Sequence, residues 1–150
     1  MSEEELKKPE ERFIYNIKGI SLEYFQELVN SNVWKAFAII YAGIHHQMKI
    51  ILVYKDKIKV STNNHAKRWT IINNKSFFQC IDDLYIIEAI NDELHQELKE
   101  FNTNRNKKLG HLDAYQKLDI SDETINNICL HGIKLSKKLD KIIHSIFFPS

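Results

Sequence analysis

Proline is confined to the two ends of this 150-residue chain, at Pro9 and Pro149, and glycine occurs only at Gly19, Gly43, Gly110 and Gly132. Nothing between those ends forbids long helices. Cysteine is equally scarce. Cys80 and Cys129 both lie inside apolar-periodic segments, a pattern that excludes a disulfide framework and any CxxC metal or redox motif, so both are expected to be reduced core thiols. Long hydrophobic runs are missing too: the longest, near residues 36–44, is short for a bilayer and contains Gly43. The N-terminal MSEEELKKPEERF has no apolar h-region, so no secretory signal and no membrane partner are expected, and the cytoplasm is the expected location. A formal net charge of +1 means that the chain as a whole does not advertise nucleic-acid binding.

What is present describes one ordinary domain. Hydrophobic residues make up 43% and charged residues 27%, enough apolar matter for a core and too little charge for disorder. Charge is nevertheless uneven. Residues 49–75 carry Lys49, Lys55, Lys57, Lys59, Lys67, Arg68 and Lys75 against Asp56 alone, and the next segment reverses the sign with Asp82, Asp83, Glu88, Asp92, Glu93, Glu97 and Glu100 opposed by Lys99. Such a stretch is either a patch that tracks a phosphate backbone or a solvated lysine-rich face.

Taken in order, residues 1–12 read as a charged tail or frayed helix, and Ser21 is a good N-cap with Glu23 in the first turn. Leu22, Phe25 and Val29 then keep helical spacing up to a turn or kink expected at Asn30-Ser31-Asn32. Beyond it Trp34, Phe37, Tyr41, Ile44, Met48 and Ile51 alternate at three and four residues, which predicts a long packed helix. Leu52, Tyr54, Ile58 and Val60 either continue it or form a short extended segment. The STNN and NN clusters around Trp69 predict a loop over residues 61–74. Ser76 and Gln79 form a capping-box pair, and from there Leu84, Ile87, Asn91, Leu94, Leu98 and Phe101 continue the alternation, which places Arg105 on the inward seam. Ser121 with Asp122 and Glu123 starts a last helix whose seam is Ile125, Ile128, Gly132, Leu135, Leu139, Ile142 and Ile146. Seams of this kind must bury one another, so an all-α antiparallel bundle of four to five helices is predicted.

The chemistry concentrates in RNKKLGHLD, residues 105–113. Arg105 supplies a permanent planar cation able to fork onto a phosphate, and His111 a group that exchanges a proton near neutral pH. Those are the needs of metal-independent RNA cleavage by an adjacent 2′-hydroxyl: a base, an acid and a cation for the extra negative charge. Along an unbroken helix the two side chains would diverge by roughly 120°, so Gly110 is needed to redirect His111, or a two-fold axis to bring two such pairs into one cleft. Lys107 and Lys108 either add phosphate contacts or complement a helix C-terminus. No metal cage and no cofactor motif is apparent.

The whole string, closing a long helix in an all-α chain, resembles the HEPN superfamily, and within it the abortive-infection type-U branch. Its pattern is Arg-Asn-Lys, two variable positions, a small residue and His-Leu-Asp; Gly110 stands where that branch more often has Ala. The resemblance implies a helical bundle that dimerises and forms a ribonuclease cleft from paired Arg and His. By position, Arg105 becomes the phosphate-binding arginine, Asn106 the polar residue beside it and His111 the acid/base. It also implies phage defence or a toxin-antitoxin role, with an antitoxin or nucleotidyltransferase as partner. Many members serve only as dimerisation or nucleotide-binding modules, and that is the alternative.

Other residues invite functional readings. His45 and His46 point about 100° apart on one helix and cannot both bind one ion from there. Cys129 and His131 likewise face different sides. His65, Lys67, Arg68 and Trp69 mix charges and a ring in a way that suits a stacked base and a phosphate, or a loop anchored by one buried Trp.

Overall fold

A computed structural model describes residues 22–55, 65–105 and 122–149, the side chains of residues 22–35 and 122 excepted. These residues form five helices and no strand: α1 (Leu22–Tyr54), α2 (His65–Asn73), α3 (Phe77–Ile86), α4 (Asp92–Asn104) and α5 (Asp122–Phe147). The described residues therefore form the all-α bundle read from the seams. The charged tail over residues 1–12, the caps at Ser21 and Ser121, and Ile58 and Val60 lie outside the described residues.

α1 runs through Asn30-Ser31-Asn32 without the turn expected there. Poor helix formers cost only about 0.5–0.7 kcal/mol each, less than the apolar face from Ala36 onward recovers by packing. Ile44, Met48, Ile50 and Ile51 are all fully buried, and Leu52 and Val53 nearly so, on more than one side of the helix. The cause is position: α2, α3 and α5 all pack against α1. The stretch Ala36–Tyr54 is consequently long and apolar enough to span a bilayer, longer than the run read from the sequence, yet over half of it is buried inside the bundle. An apolar helix of this kind is what a central element needs.

The loop expected over residues 61–74 is instead largely helical, as α2 occupies His65–Asn73. Nine residues are too few to hold a helix alone. Contacts with α1 hold this one: Ile72 is buried and Trp69 half-buried, the Tyr54 hydroxyl meets His65 Nε2 at 3.1 Å, and Lys49 Nζ donates to Asn73 Oδ1 at 3.1 Å.

α3 starts with both arms of the expected capping box, Gln79 N–H donating to Ser76 Oγ at 3.1 Å and Ser76 N–H to Gln79 Oε1 at 2.8 Å. The continuous seam from Leu84 to Arg105 is not continuous. α3 ends at Ile86, Glu88 takes a left-handed φ of 59°, and Asn91 caps α4 by accepting from Leu94 N–H at 2.9 Å. Asn91 and Ile87 are accordingly exposed turn residues, not seam residues. The rest of the seam holds, with Leu94, Leu98 and Phe101 buried and the helix intact through Asn102-Thr103-Asn104. On α5, Ile125, Ile128, Gly132, Leu135 and Leu139 are buried as expected, and Ile143 rather than Ile142 completes the stripe.

Successive helices alternate in direction. α2 descends along α1, α3 climbs beside it with Phe77 at Tyr41, and α4 descends along α3, pairing His95 with Asp82 and Lys99 with Phe78. α5 climbs again. The largest interface, α1 against α5, is therefore parallel: Ile40 faces Gly132, Gln47 faces Ser136 and Tyr54 faces Phe147. Gly132 makes this approach possible, since a Cβ there would fall 2.6 Å from Ile40 Cγ2 and 2.9 Å from Phe101 Cε2.

Candidate functional site

Four aromatic rings from three helices set the position of Arg105. Phe101 of α4 is fully buried, 6.1 Å from Phe37 and from Phe77 and 6.4 Å from Tyr41, and Tyr41 stacks on Phe77 at 4.4 Å. One helical turn beyond Phe101, Arg105 keeps right-handed dihedrals (φ −59°, ψ −49°) and its N–H reaches the Phe101 and Asn102 carbonyls. Its guanidinium carbon lies 4.6 Å from the centre of the Tyr41 ring. The seam thus ends as predicted, with the apolar stem directed inward and the planar cation laid over an aromatic face. Burial pushes the Tyr41 hydroxyl above its ordinary 10.0, an effect that Arg105 opposes and Cys80 reinforces. Tyr41 therefore offers Arg105 a neutral ring.

Between the end of α4 and the first half of α5 lies an open depression of about 290 Å³, lined by Asn104, Thr124, Asn127, Ile128 and His131. Its described walls are amides, a hydroxyl, an imidazole and the Ile128 side chain, with no carboxylate among them. His131 is half-buried and meets the Phe101 ring edge-on at 6.1 Å. Sequence reasoning considered His131 only beside Cys129. The available signal was its spacing, three from Ile128 and four from Leu135, which puts it beside the buried stripe of α5. Cys129 is fully buried, and burial raises its thiol to about 12, while Cys80 is raised to about 11 chiefly by burial. Both are inert core thiols, as expected.

Of the predicted catalytic set, the described residues include Arg105 alone. Asn106, Lys107, Lys108, Gly110 and His111 lie outside them, and with them the turn at Gly110 on which the meeting of Arg105 and His111 depends.

The basic-aromatic group divides between two tasks. His65 bonds to Tyr54, and Arg68 Nη2 donates to the Val53 carbonyl at 3.3 Å, so both serve the C-terminal end of α1. Trp69 turns the other way and stacks on His46 with centroids 5.9 Å apart. His45 and His46 part company as their 100° separation requires, because His45 Nε2 meets the Lys75 carbonyl at 3.0 Å. Lys75 itself pairs with Asp83 at 2.7 Å, which neutralises one edge of the basic stretch. Among the described residues no three His, Cys, Asp or Glu side chains gather where they could hold a metal ion.

No family model, curated protein or solved structure matches the chain.

Proposed function

We propose that this protein is a metal-independent endoribonuclease of the HEPN type that works as a homodimer in phage defence or in a toxin-antitoxin pair. The observation that carries the reading is Arg105. It ends α4 of an all-α bundle, lies over Tyr41, follows Asn104, which lines the polar depression, and heads the string that closes on His111.

The chemistry follows from the residue types. Arg105 forks onto the scissile phosphate and offsets the charge that develops as the 2′-oxygen bonds to phosphorus. His111 takes the 2′-hydroxyl proton, and the P–O5′ bond breaks to leave a 2′,3′-cyclic phosphate; the second histidine of the dimer protonates the departing 5′-oxygen. Asn106 orients the phosphate, and Lys107 and Lys108 contact the flanking backbone. The polar depression suits a sugar or base edge next to the cut. In a cell the partner that restrains this activity is an antitoxin or a nucleotidyltransferase.

The test is incubation of the purified protein with single-stranded and structured RNA, with and without EDTA. Cleavage that survives the chelator and is lost in both Arg105→Ala and His111→Ala is the expected result. Cleavage that needs Mg²⁺, or that persists in both variants, sinks the proposal. The same polar depression also suits a non-catalytic nucleotide-binding module, which predicts saturable nucleotide binding with no RNA turnover.

A further inference from the structure

The groove between α1 and α2 has no part in the proposed chemistry, yet its composition is unusual. Its walls, residues 36–54 and 65–73, contain not one Asp or Glu while carrying Lys49, Lys67 and Arg68. With Arg68 committed to the end of α1, the groove holds an open depression of about 310 Å³ lined by His46, Trp69, Thr70 and Asn73, at the small end of ligand-sized sites. The Trp69 and His46 rings stack with their planes 26° from parallel and their centroids 5.9 Å apart, so together they form a two-ring stack that a further ring can extend. Lys49 reaches the rim by donating to Asn73 Oδ1, which leaves the Asn73 amide N–H groups for another acceptor. Thr70 Oγ1 donates to the Ala66 carbonyl and keeps its lone pairs to accept. Lys67, exposed and one helical turn from Thr70, continues the positive charge along the surface.

We infer that this groove is a base-stacking subsite for single-stranded RNA, in which an unpaired base extends the Trp69–His46 stack, Asn73 and Thr70 meet its edge, and Lys49 meets the adjoining phosphate. Stacking needs a π-face, and every base offers one, so the site favours single strands without demanding a sequence. The acid-free walls supply the positive field that a phosphate backbone requires. The choice of RNA over DNA rests on the proposed ribonuclease activity; stacking itself does not. As a second point of attachment, away from Arg105, the groove lengthens the strand that the protein holds during cleavage.

The experiment uses a fluorescent ten-nucleotide 2′-O-methyl RNA, which binds as a single strand but cannot be cut, titrated with the full chain and followed by anisotropy. Trp69→Leu is expected to weaken binding about tenfold and Trp69→Phe by less than about threefold, in line with the loss and retention of one stacked base. Lys49→Gln is expected to reduce the salt dependence by about one phosphate contact. Equal affinity of the parent and Trp69→Leu overturns the inference, as does a parent that ignores the single strand or binds the corresponding duplex equally well. If Trp69→Leu fails to fold, unchanged affinity and salt slope in both Asn73→Ala and Lys49→Gln overturn it instead. Arg105→Ala separates the two proposals: cleavage lost without any effect of Trp69 sinks the subsite alone, whereas Trp69-dependent binding without cleavage in the parent sinks the nuclease alone.

Discussion

The guanidinium of Arg105 lies 4.6 Å from the centre of the Tyr41 ring, so the last turn of α4 is fastened to the middle of α1 by a cation over an aromatic face. A positioned arginine loses less freedom on meeting a phosphate than one moving in water. On the ribonuclease proposal, Tyr41→Leu should lower kcat/KM about fivefold, equivalent to the ~1 kcal/mol of such a contact, while Tyr41→Phe, which keeps the ring, should stay within about twofold. Steady-state cleavage rates beside thermal melts decide between them. Equal rate losses in Phe and Leu would show that the hydroxyl matters and the ring does not.

Gly132 should resist even alanine. The new Cβ would meet Ile40 Cγ2 at 2.6 Å, a methyl on a branched carbon, and the fully buried Phe101 ring at 2.9 Å. Overpacking of this kind costs about 1–3 kcal/mol, against which alanine recovers about 1 kcal/mol of helix propensity. Gly132→Ala is therefore expected to lose up to about 2 kcal/mol in urea unfolding. Ile40→Ala removes the offending methyl, so the double variant should be less destabilised than the two singles summed.

Gln47 and Ser136 form a reciprocal pair across the parallel α1–α5 interface. Gln47 Nε2 donates to the Ser136 carbonyl at 3.0 Å and Ser136 Oγ donates to Gln47 Oε1 at 2.9 Å, in a site where Gln47 is 0% and Ser136 7% exposed. Removing one member strands the other, so Ser136→Ala should cost about 1–3 kcal/mol. Replacing both, as Gln47→Leu with Ser136→Ala, should cost clearly less than the sum of the singles in denaturant titration. Strict additivity would mean that the pair does not interact.

The pH dependence of stability carries a contribution from His45. Burial lowers its pKa below the ordinary 6.5, with Lys49 acting in the same direction against the bond to the Lys75 carbonyl. The unfolded chain then takes up this proton at a higher pH than the folded one. The neutral ring's contribution is complete above about pH 6.5 and is lost as the pH falls through the lower, folded value. His45→Gln keeps a donor for the carbonyl and cannot titrate. Its stability should fall less between pH 7 and pH 5 than that of the parent, both followed by chemical denaturation; parallel curves would rule out this role.

Much of the fold was legible because its signals are local. Three-four spacing marked the buried faces of α1, α4 and α5, and the Ser76–Gln79 box fixed the start of α3 to the residue. Spacing also misled. Leu84, Ile87, Asn91 and Leu94 keep helical intervals across a break, because a count cannot tell a helix from a short turn that preserves its phase. The asparagine in that series was the signal, since Asn on an inward seam is costly and Asn at a cap is not. α2 was hidden for the opposite reason, its helicity coming from α1 and not from its own residues.

The candidate site divides in the same way. The sequence by itself determined that the chain is helical, that an arginine closes an inward stripe, and that the string from Arg105 to His111 holds the residue types for phosphodiester chemistry, because composition, periodicity and capping act within a few residues. Only the tertiary structure decided that α1 and α5 run parallel, that Tyr41 lies beneath Arg105, that His131 lines one depression with Asn104, and that Trp69 meets His46 in a groove whose described walls carry no carboxylate. Those pairings join residues 23 to 93 positions apart. They are selected by how several faces bury one another at once, a choice that no single segment makes.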